Sequence, residues 1–341
     1  MSRSFRVAVV GATGLVGETL ISVLEQRKFP ISELIALASN RSLGKSVEYH
    51  GRSLAVEDLA SFDFARADIG LFSAGSEVSA QYAPKAALAG CTVIDNTAQF
   101  RYQDDIPLVV PEVNPHAIAQ YRNHGIIANP NCSTIQLVVA LKPIYDAVGI
   151  ERINVATYQS VSGAGKEAVE ELATQTAALL SGKPIDPPQH IAKQIAFNCV
   201  PHIDQFQDNG YTKEEMKMLW ETRKILEDPT IRVNATAVRV PVFFGHSEAV
   251  HIETRRKISA ADARALLKRA PGVTVLDERI AGGYPTAVTE AANHDTVYVG
   301  RIREDMSHEL GLDLWIVSDN IRKGAATNSV QIAEILVSEY Y

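Results

Sequence analysis

The sequence predicts an α/β protein of two domains: an N-terminal, Rossmann-like doubly wound parallel sheet, then a C-terminal α+β domain on a mostly antiparallel sheet. Three observations predict it. Short β-branched runs alternate with helical periodicity in the first third of the chain. The turn Gly11-Ala12-Thr13-Gly14-Leu15-Val16-Gly17 joins the first such run to the first helix. Beyond Cys132, long strand-like stretches follow one another with fewer helices between them.

Phe5 to Val10 reads as the first strand, and Val16, Leu20, Val23 and Leu24 recur on one face of the helix after it. Further strands are predicted at Leu34 to Ser39, Ile69 to Ala74, Thr92 to Asn96, Leu108 to Val110 and Gly125 to Ala128, with an amphipathic helix around Val78 to Ala89. An apolar helix begins near Ser133. The second domain follows with strands at Ile153 to Ser160, Asn234 to Val240, Val250 to Ile258, Thr296 to Arg303 and Leu312 to Val317. Ala168 to Leu180 reads as an amphipathic helix. The last helix, Gly324 to Tyr340, carries Ile332, Ile335 and Leu336 at helical spacing and is expected to return to the first domain. The expected division is 1–131, completed by 321–341, and 132–320.

The 341 residues suit two cores better than one. A hydrophobic share of 46% with 21% charged residues is globular composition. A net charge of -7 leaves no electrostatic footprint for nucleic acid or an anionic membrane, so neither partner is expected. Cys91, Cys132 and Cys199 are odd in number and widely spaced, which fits neither a disulfide framework nor a metal pattern. No signal peptide is apparent and no apolar stretch reaches the roughly 18 residues of a membrane span. A cytoplasmic location is expected.

Gly11, Gly14 and Gly17 follow GxxGxxG spacing where the usual dinucleotide fingerprint has GxGxxG. Strand before and helix after give the turn the same physics: bare backbone lets a pyrophosphate approach the helix N-terminus. Gly11, Thr13, Gly14, Leu15, Val16 and Gly17 are therefore candidate cofactor contacts. The second strand ends in Ser39-Asn40-Arg41-Ser42, where an NAD enzyme would carry an acid. Ser39, Arg41 and Ser42 attract a 2′-phosphate instead, so NADP is expected. Ser73, Ala74 and Gly75 end the third parallel strand and are placed beneath the adenosine half.

Cys132 stands in Asn129-Pro130-Asn131-Cys132-Ser133-Thr134, between a strand and a long helix. A thiol there sees the positive end of the macrodipole and unpaired N–H groups, which favour thiolate. It is the candidate nucleophile.

That segment, with Gln159 in Tyr158-Gln159-Ser160-Val161-Ser162-Gly163-Ala164-Gly165, Arg239-Val240-Pro241-Val242, Gly245-His246-Ser247 and Asp319-Asn320-Ile321-Arg322-Lys323-Gly324, resembles the aspartate-semialdehyde dehydrogenase family. The resemblance spans essentially the whole chain. It implies reduction of β-aspartyl phosphate by NADPH to aspartate semialdehyde and phosphate, on the route to lysine, threonine, methionine and diaminopimelate. It also implies a homodimer built from the second domain.

By the same resemblance, His246 is the acid/base, and the ordinary histidine pKa near 6.5 suits proton exchange at neutral pH. Gln159 orients substrate, and Asn131 helps hold the developing oxyanion. Arg239 binds the α-carboxylate, Arg101 and Lys217 form the phosphate site, and Glu214 meets the amino group, with Glu215 as the competing choice. Ser162 and Gly163 resemble the nicotinamide-side loop, and Asn320 stands where an amide meets the carboxamide. Where the family often reads Asn-Thr-Ser, this chain has Asn96-Thr97-Ala98-Gln99. Two other readings stay open. One is a reductase of another acyl phosphate such as N-acetylglutamyl phosphate, whose family tends to carry Asn-Pro-Gly-Cys-Tyr; the other is a catalytically silent binding paralogue.

Overall fold

The computed structural model describes residues 3–341, and the chain divides into two compact units. One runs to Asn131 and takes in Ala325–Tyr341; the other is Cys132–Gly324.

The first unit holds β1 (Phe5–Val10), α1 (Leu15–Gln26), β2 (Ile31–Ala38), β3 (Ser46–Tyr49), β4 (Arg52–Asp58), β5 (Ile69–Phe72), α2 (Ser76–Leu88), β6 (Thr92–Asp95) and β7 (Ile126–Ala128). The strand order is β3-β4-β2-β1-β5-β6-β7, parallel except where β3 returns against β4. Strands β1, β5 and β6 are buried on both faces, which is why they read as unbroken apolar runs. The order reverses between β1 and β5, and open α/β sheets bind ligands beyond the strand ends at such a point. The Gly11 turn follows β1 there, and Ser73 to Gly75 follow β5.

Two expectations for this unit differ from what is found. Leu108 to Val110 is not a strand but a single parallel bridge, Leu108 to Ala128, because the chain turns away after Val110. The β3–β4 hairpin was not anticipated: β3 lies between Gly44 and Gly51, and β4 follows directly after the turn at Gly51.

The second unit contains α3 (Cys132–Val148), β8 (Ile150–Gln159), α4 (Lys166–Leu180), α5 (Lys213–Ile225), β9 (Arg232–Arg239), β10 (His246–Thr254), α6 (Ala260–Leu267), β11 (Val273–Val275), β12 (Val297–Glu304) and β13 (Gly311–Ser318). Its order is β11-β12-β13-β10-β8-β9. The centre is antiparallel, whereas β9 joins β8 and β11 joins β12 in parallel, so the sheet is mixed. Helix α3 covers one face, with Ile135, Leu137, Val138, Leu141 and Ile144 buried. Helix α4 closes a smaller core, packing Ala168 and Leu172 against Val161, Ile191, Ile195 and Val200.

The chain then passes through a wide π-turn, Arg322–Ala326, into α7 (Thr327–Glu339), three residues later than the periodicity suggested. Val330, Ile332 and Leu336 on α7 join Leu20, Leu24 and Ile94 in the first unit's core. Truncating one such buried leucine to alanine costs about 2–5 kcal/mol.

Candidate active site

Three strand ends of the second unit carry the predicted chemistry. Gln159 ends β8 and Arg239 ends β9, and the two are register partners in the parallel pair. His246 opens β10, which runs antiparallel to β8, so the end of one strand meets the start of the other. Cys132 is the first residue of α3 and half-buried. Pro130, lacking an N–H, cannot extend the ladder of β7, and the helix begins two residues later. Gly324 leaves the thiol room, since a Cβ there would lie 2.8 Å from the Cys132 Cβ.

The arginine is buried, with Nη1 donating to the Ser160 carbonyl at 2.8 Å. Burial lowers its pKa, against which the Glu214 carboxylate and Cys132 act to raise it. Gly163 keeps a side chain away from the arginine. A Cβ at that position would sit 2.8 Å from Arg239 Nη1 and 3.4 Å from His246 Nε2, so both donor groups converge on the space a side chain would fill.

His246 is fully buried, and its Nδ1 accepts the Ser160 backbone N–H at 3.1 Å. A backbone N–H can only donate, so the imidazole proton belongs on Nε2, which is buried without a hydrogen-bond partner among the described residues. Burial first, then the Arg239 charge, push the pKa down to about 3. This corrects the expectation of a ring titrating at its ordinary 6.5: at neutral pH it is an uncharged Nε2–H donor.

Glu214 and Lys217 lie one turn apart on α5. Lys217 Nζ donates to Glu214 Oε2 at 2.9 Å and to Asp204 Oδ2 at 2.7 Å, while Gln159 Nε2 donates to Glu214 Oε1 at 3.2 Å. Burial opposes the Lys217 charge, but the two carboxylates outweigh it and raise its pKa. Glu215 is occupied elsewhere, closing the capping box of α5 with Thr212. Glu214 is therefore the acid that faces the buried cluster. Two members escaped the sequence reading. Asp204 sits at φ +67 in an irregular segment with no periodic signal, and Ser160 is set apart only by its neighbours Gln159 and Ser162.

Asn320, after β13, ties the loops together. Its Oδ1 accepts from Gly245 N at 2.9 Å, Ser160 Oγ at 3.0 Å and Ser162 Oγ at 3.3 Å, and its Nδ2 donates to Ser162 Oγ at 3.0 Å. The amide oxygen is thus taken up within the unit.

The first unit holds the remaining candidates. Gly11 has φ +86, and a Cβ on it would come within 3.0 Å of the Ser73 carbonyl carbon. At Gly17 a Cβ would lie 2.1 Å from the Gly11 oxygen, so only glycine lets α1 start this close to the turn. Ala12 and Gly17 are buried and Val16 packs on the core, which leaves Gly11, Thr13, Gly14 and Leu15 as the accessible cradle. Thr13 Oγ1 is 3.2 Å from Ser42 Oγ, joining the turn to Ser39-Asn40-Arg41-Ser42, where Arg41 is exposed. A turn that a Cβ would block, open at a helix N-terminus and flanked by an exposed guanidinium, fits a dinucleotide bearing a 2′-phosphate. Arg101 is buried with Nη2 donating to the Asn96 carbonyl at 2.7 Å. Beneath that loop Asp95 accepts from Ser79 Oγ and Thr97 Oγ1, each at 2.7 Å. Asn131 is buried directly ahead of the thiol.

Among the described residues no helix is long and apolar enough to cross a membrane.

Comparison with known proteins adds family evidence. Residues 6–121 match "Semialdehyde dehydrogenase, NAD binding domain" and residues 141–323 match "Semialdehyde dehydrogenase, dimerisation domain". The chain is 64% identical over 340 residues to an aspartate-semialdehyde dehydrogenase of Legionella pneumophila, covering 100% of this chain and 98% of the relative. It is 50% identical over 343 residues to that of Bacillus subtilis, covering 98% of each. A crystal structure of aspartate semialdehyde dehydrogenase II from Vibrio cholerae, complexed with ASA, superposes with a TM-score of 0.98 at 59% identity over 100% of both chains. A Candida albicans aspartate semialdehyde dehydrogenase with NADP matches with a TM-score of 0.75 at 27% identity over 98% of both.

Proposed function

The chain belongs to the aspartate-semialdehyde dehydrogenase family, and from that premise we propose how its residues divide the labour of the reaction. That reaction is the NADPH-dependent reductive dephosphorylation of L-aspartyl 4-phosphate to L-aspartate 4-semialdehyde and phosphate, in the biosynthesis of lysine, threonine, methionine and diaminopimelate. The enzyme is a homodimer.

Cys132 Sγ attacks the acyl carbon, the carbon–sulfur bond forms, and the bond to the phosphate oxygen breaks to leave a thioester. When bound, NADPH supplies the hydride that takes the thioester to the aldehyde level. His246 donates from Nε2 to the carbonyl oxygen as charge gathers there, with Asn131 and N–H groups at the start of α3 assisting. As the carbon–sulfur bond breaks, the charge on the oxygen passes to the sulfur, Nε2 keeps its proton throughout, and the aldehyde leaves with the thiolate restored. The observation that carries this reading is the convergence of a charged guanidinium and a neutral Nε2–H donor over Gly163, in the unit that carries the thiol.

Arg239 grips the α-carboxylate with its forked guanidinium, Gln159 orients the substrate, and Glu214 meets the amino group. Lys217 and Arg101 bind the phosphate. The cofactor is held by Gly11, Thr13, Gly14 and Leu15 at its pyrophosphate and by Ser39, Arg41 and Ser42 at the 2′-phosphate, with Ser162 and Gly163 toward the nicotinamide. Val16, Gly17 and Asn320 shape these loops. The unit that ends at Asn131 and takes in Ala325–Tyr341 serves as the cofactor domain, and Cys132–Gly324 as the catalytic and dimerisation domain. Cys91, Cys132 and Cys199, none of them in a disulfide, fit work in the reducing cytoplasm.

The test is phosphate-dependent NADP reduction with aspartate semialdehyde, comparing wild type with Cys132→Ala. Activity in the wild type and none in the variant is expected. A variant as active as wild type overturns the assignment.

A further inference from the structure

Asp204 has no part in that mechanism, yet it sits on the cation assigned to phosphate. Its Oδ2 accepts from Lys217 Nζ at 2.7 Å, and Glu214 Oε2 accepts from the same nitrogen at 2.9 Å. An ammonium has three N–H groups, so one is left for a phosphate oxygen. Asp204 lies at the rim, its side chain 29% exposed against 12% for Lys217.

The two carboxylates differ in what else they meet. Glu214 also accepts from Gln159 Nε2, and its charge acts on Arg239. Asp204 has Lys217 as its ion-pair partner, while its Oδ1 accepts the Gln205 N–H at 2.8 Å. Burial raises its pKa, but the Lys217 ammonium and the Gln205 N–H outweigh that and hold it below the usual carboxylate range, so Asp204 is an anion at neutral pH. Backbone pins it on either side. Val200 and Arg239 exchange both backbone hydrogen bonds at 2.9 Å, and the Gln205 carbonyl accepts from Lys213 N at 2.7 Å. Between them Asp204 is held at φ +67, a left-handed conformation open to asparagine and glycine.

One ammonium between two carboxylates leaves the cluster net anionic, and a phosphate reaching for the third N–H meets Asp204 as a like charge. The substrate amino group answers Glu214; the substrate carries no second cation to answer Asp204. We propose that Asp204 is a positioning residue that competes with phosphate for Lys217 and keeps phosphate affinity low, so that phosphate leaves once the thioester has formed. The proposal rests on the reading of Lys217 as a phosphate-binding cation. Phosphate retained beside the thioester would attack the acyl carbon through an oxygen and expel the thiolate, reversing the step that released it. A carboxylate at hand as phosphate departs keeps the ammonium from being left bare.

The experiment titrates inorganic phosphate in phosphate-dependent NADP reduction by full-length Asp204→Asn and Asp204→Gly, two residues that fit the left-handed backbone. Both should lower KM for phosphate about 5-fold, the scale of a part-exposed ion pair, with no fall in KM for aspartate semialdehyde. Damage to packing would raise KM, so a fall reads the charge and not the fold. A phosphate KM at or above wild type in either variant, or an equal fall in both KM values, would overturn the proposal. Lys217→Gln separates it from the reading beneath: an unchanged phosphate KM there overturns phosphate binding at Lys217 and the proposal with it. A raised KM in Lys217→Gln beside unmoved Asp204 variants overturns the proposal alone.

Discussion

Acid should destabilise the second unit through a single ring. His246 is completely buried and holds a pKa of about 3 where the ordinary value is 6.5, because burial, then Arg239, disfavour its charge. Between those values the unfolded chain binds a proton that the folded chain refuses, so stability rises with pH. It is fully present above the ordinary value and drains away as the pH falls toward about 3. At about pH 5, some 1.5 pH units below the unfolded pKa and at about 1.4 kcal/mol per unit, the loss is about 2 kcal/mol. Carboxylates titrate in part of the same window, so the clean quantity is a difference of differences. Urea unfolding of wild type and His246→Gln at about pH 8 and about pH 5 should show wild type losing about 2 kcal/mol more than the variant. Equal losses would refute a buried neutral imidazole, and with it the Nε2–H donor.

Four further outcomes are expected. Cys132→Ser should abolish turnover while NADPH titration by fluorescence stays as in wild type, because the glycine turn belongs to the other unit; retained turnover would sink the covalent route. Arg239→Lys should raise KM for aspartate semialdehyde about 10-fold, since an ammonium cannot reproduce a forked contact. Lys217→Gln should raise KM for phosphate in the reverse direction by about 10-fold or more, read from phosphate titrations. Gly17→Ala puts a carbon 2.1 Å from the Gly11 oxygen and should cost about 1–3 kcal/mol in thermal unfolding and weaken NADPH binding. Normal stability there would show that the turn yields easily.

The strands that could be read in the sequence are those whose environment is uniform along their length. Val7 to Val10 and Ile69 to Phe72 are apolar at successive positions because both faces are covered, and they show as such. β3 and β4 hid because an edge hairpin with one solvated face offers only Val47, Leu54 and Val56 against polar neighbours. The family motifs brought Gln159, Arg239 and His246 into view, but no spacing says that β8 and β9 are parallel and end level, since that depends on the path taken between them. Choosing between Glu214 and Glu215 needed the Thr212 cap, which fixes the phase of the helix. The protonation state of His246 was out of reach for the same reason: burial belongs to the fold, not to the residue.

The level ending of β8 and β9 has a consequence for selectivity. Neighbouring strands sit about 4.8 Å apart whatever their side chains. If Arg239 anchors one end of the substrate and the imidazole marks the other, the hydrogen-bonded rim acts as a ruler whose graduations are set by backbone. A homologue one methylene longer could then be admitted only by shifting the thiol's helix, for the rim itself has no slack to give.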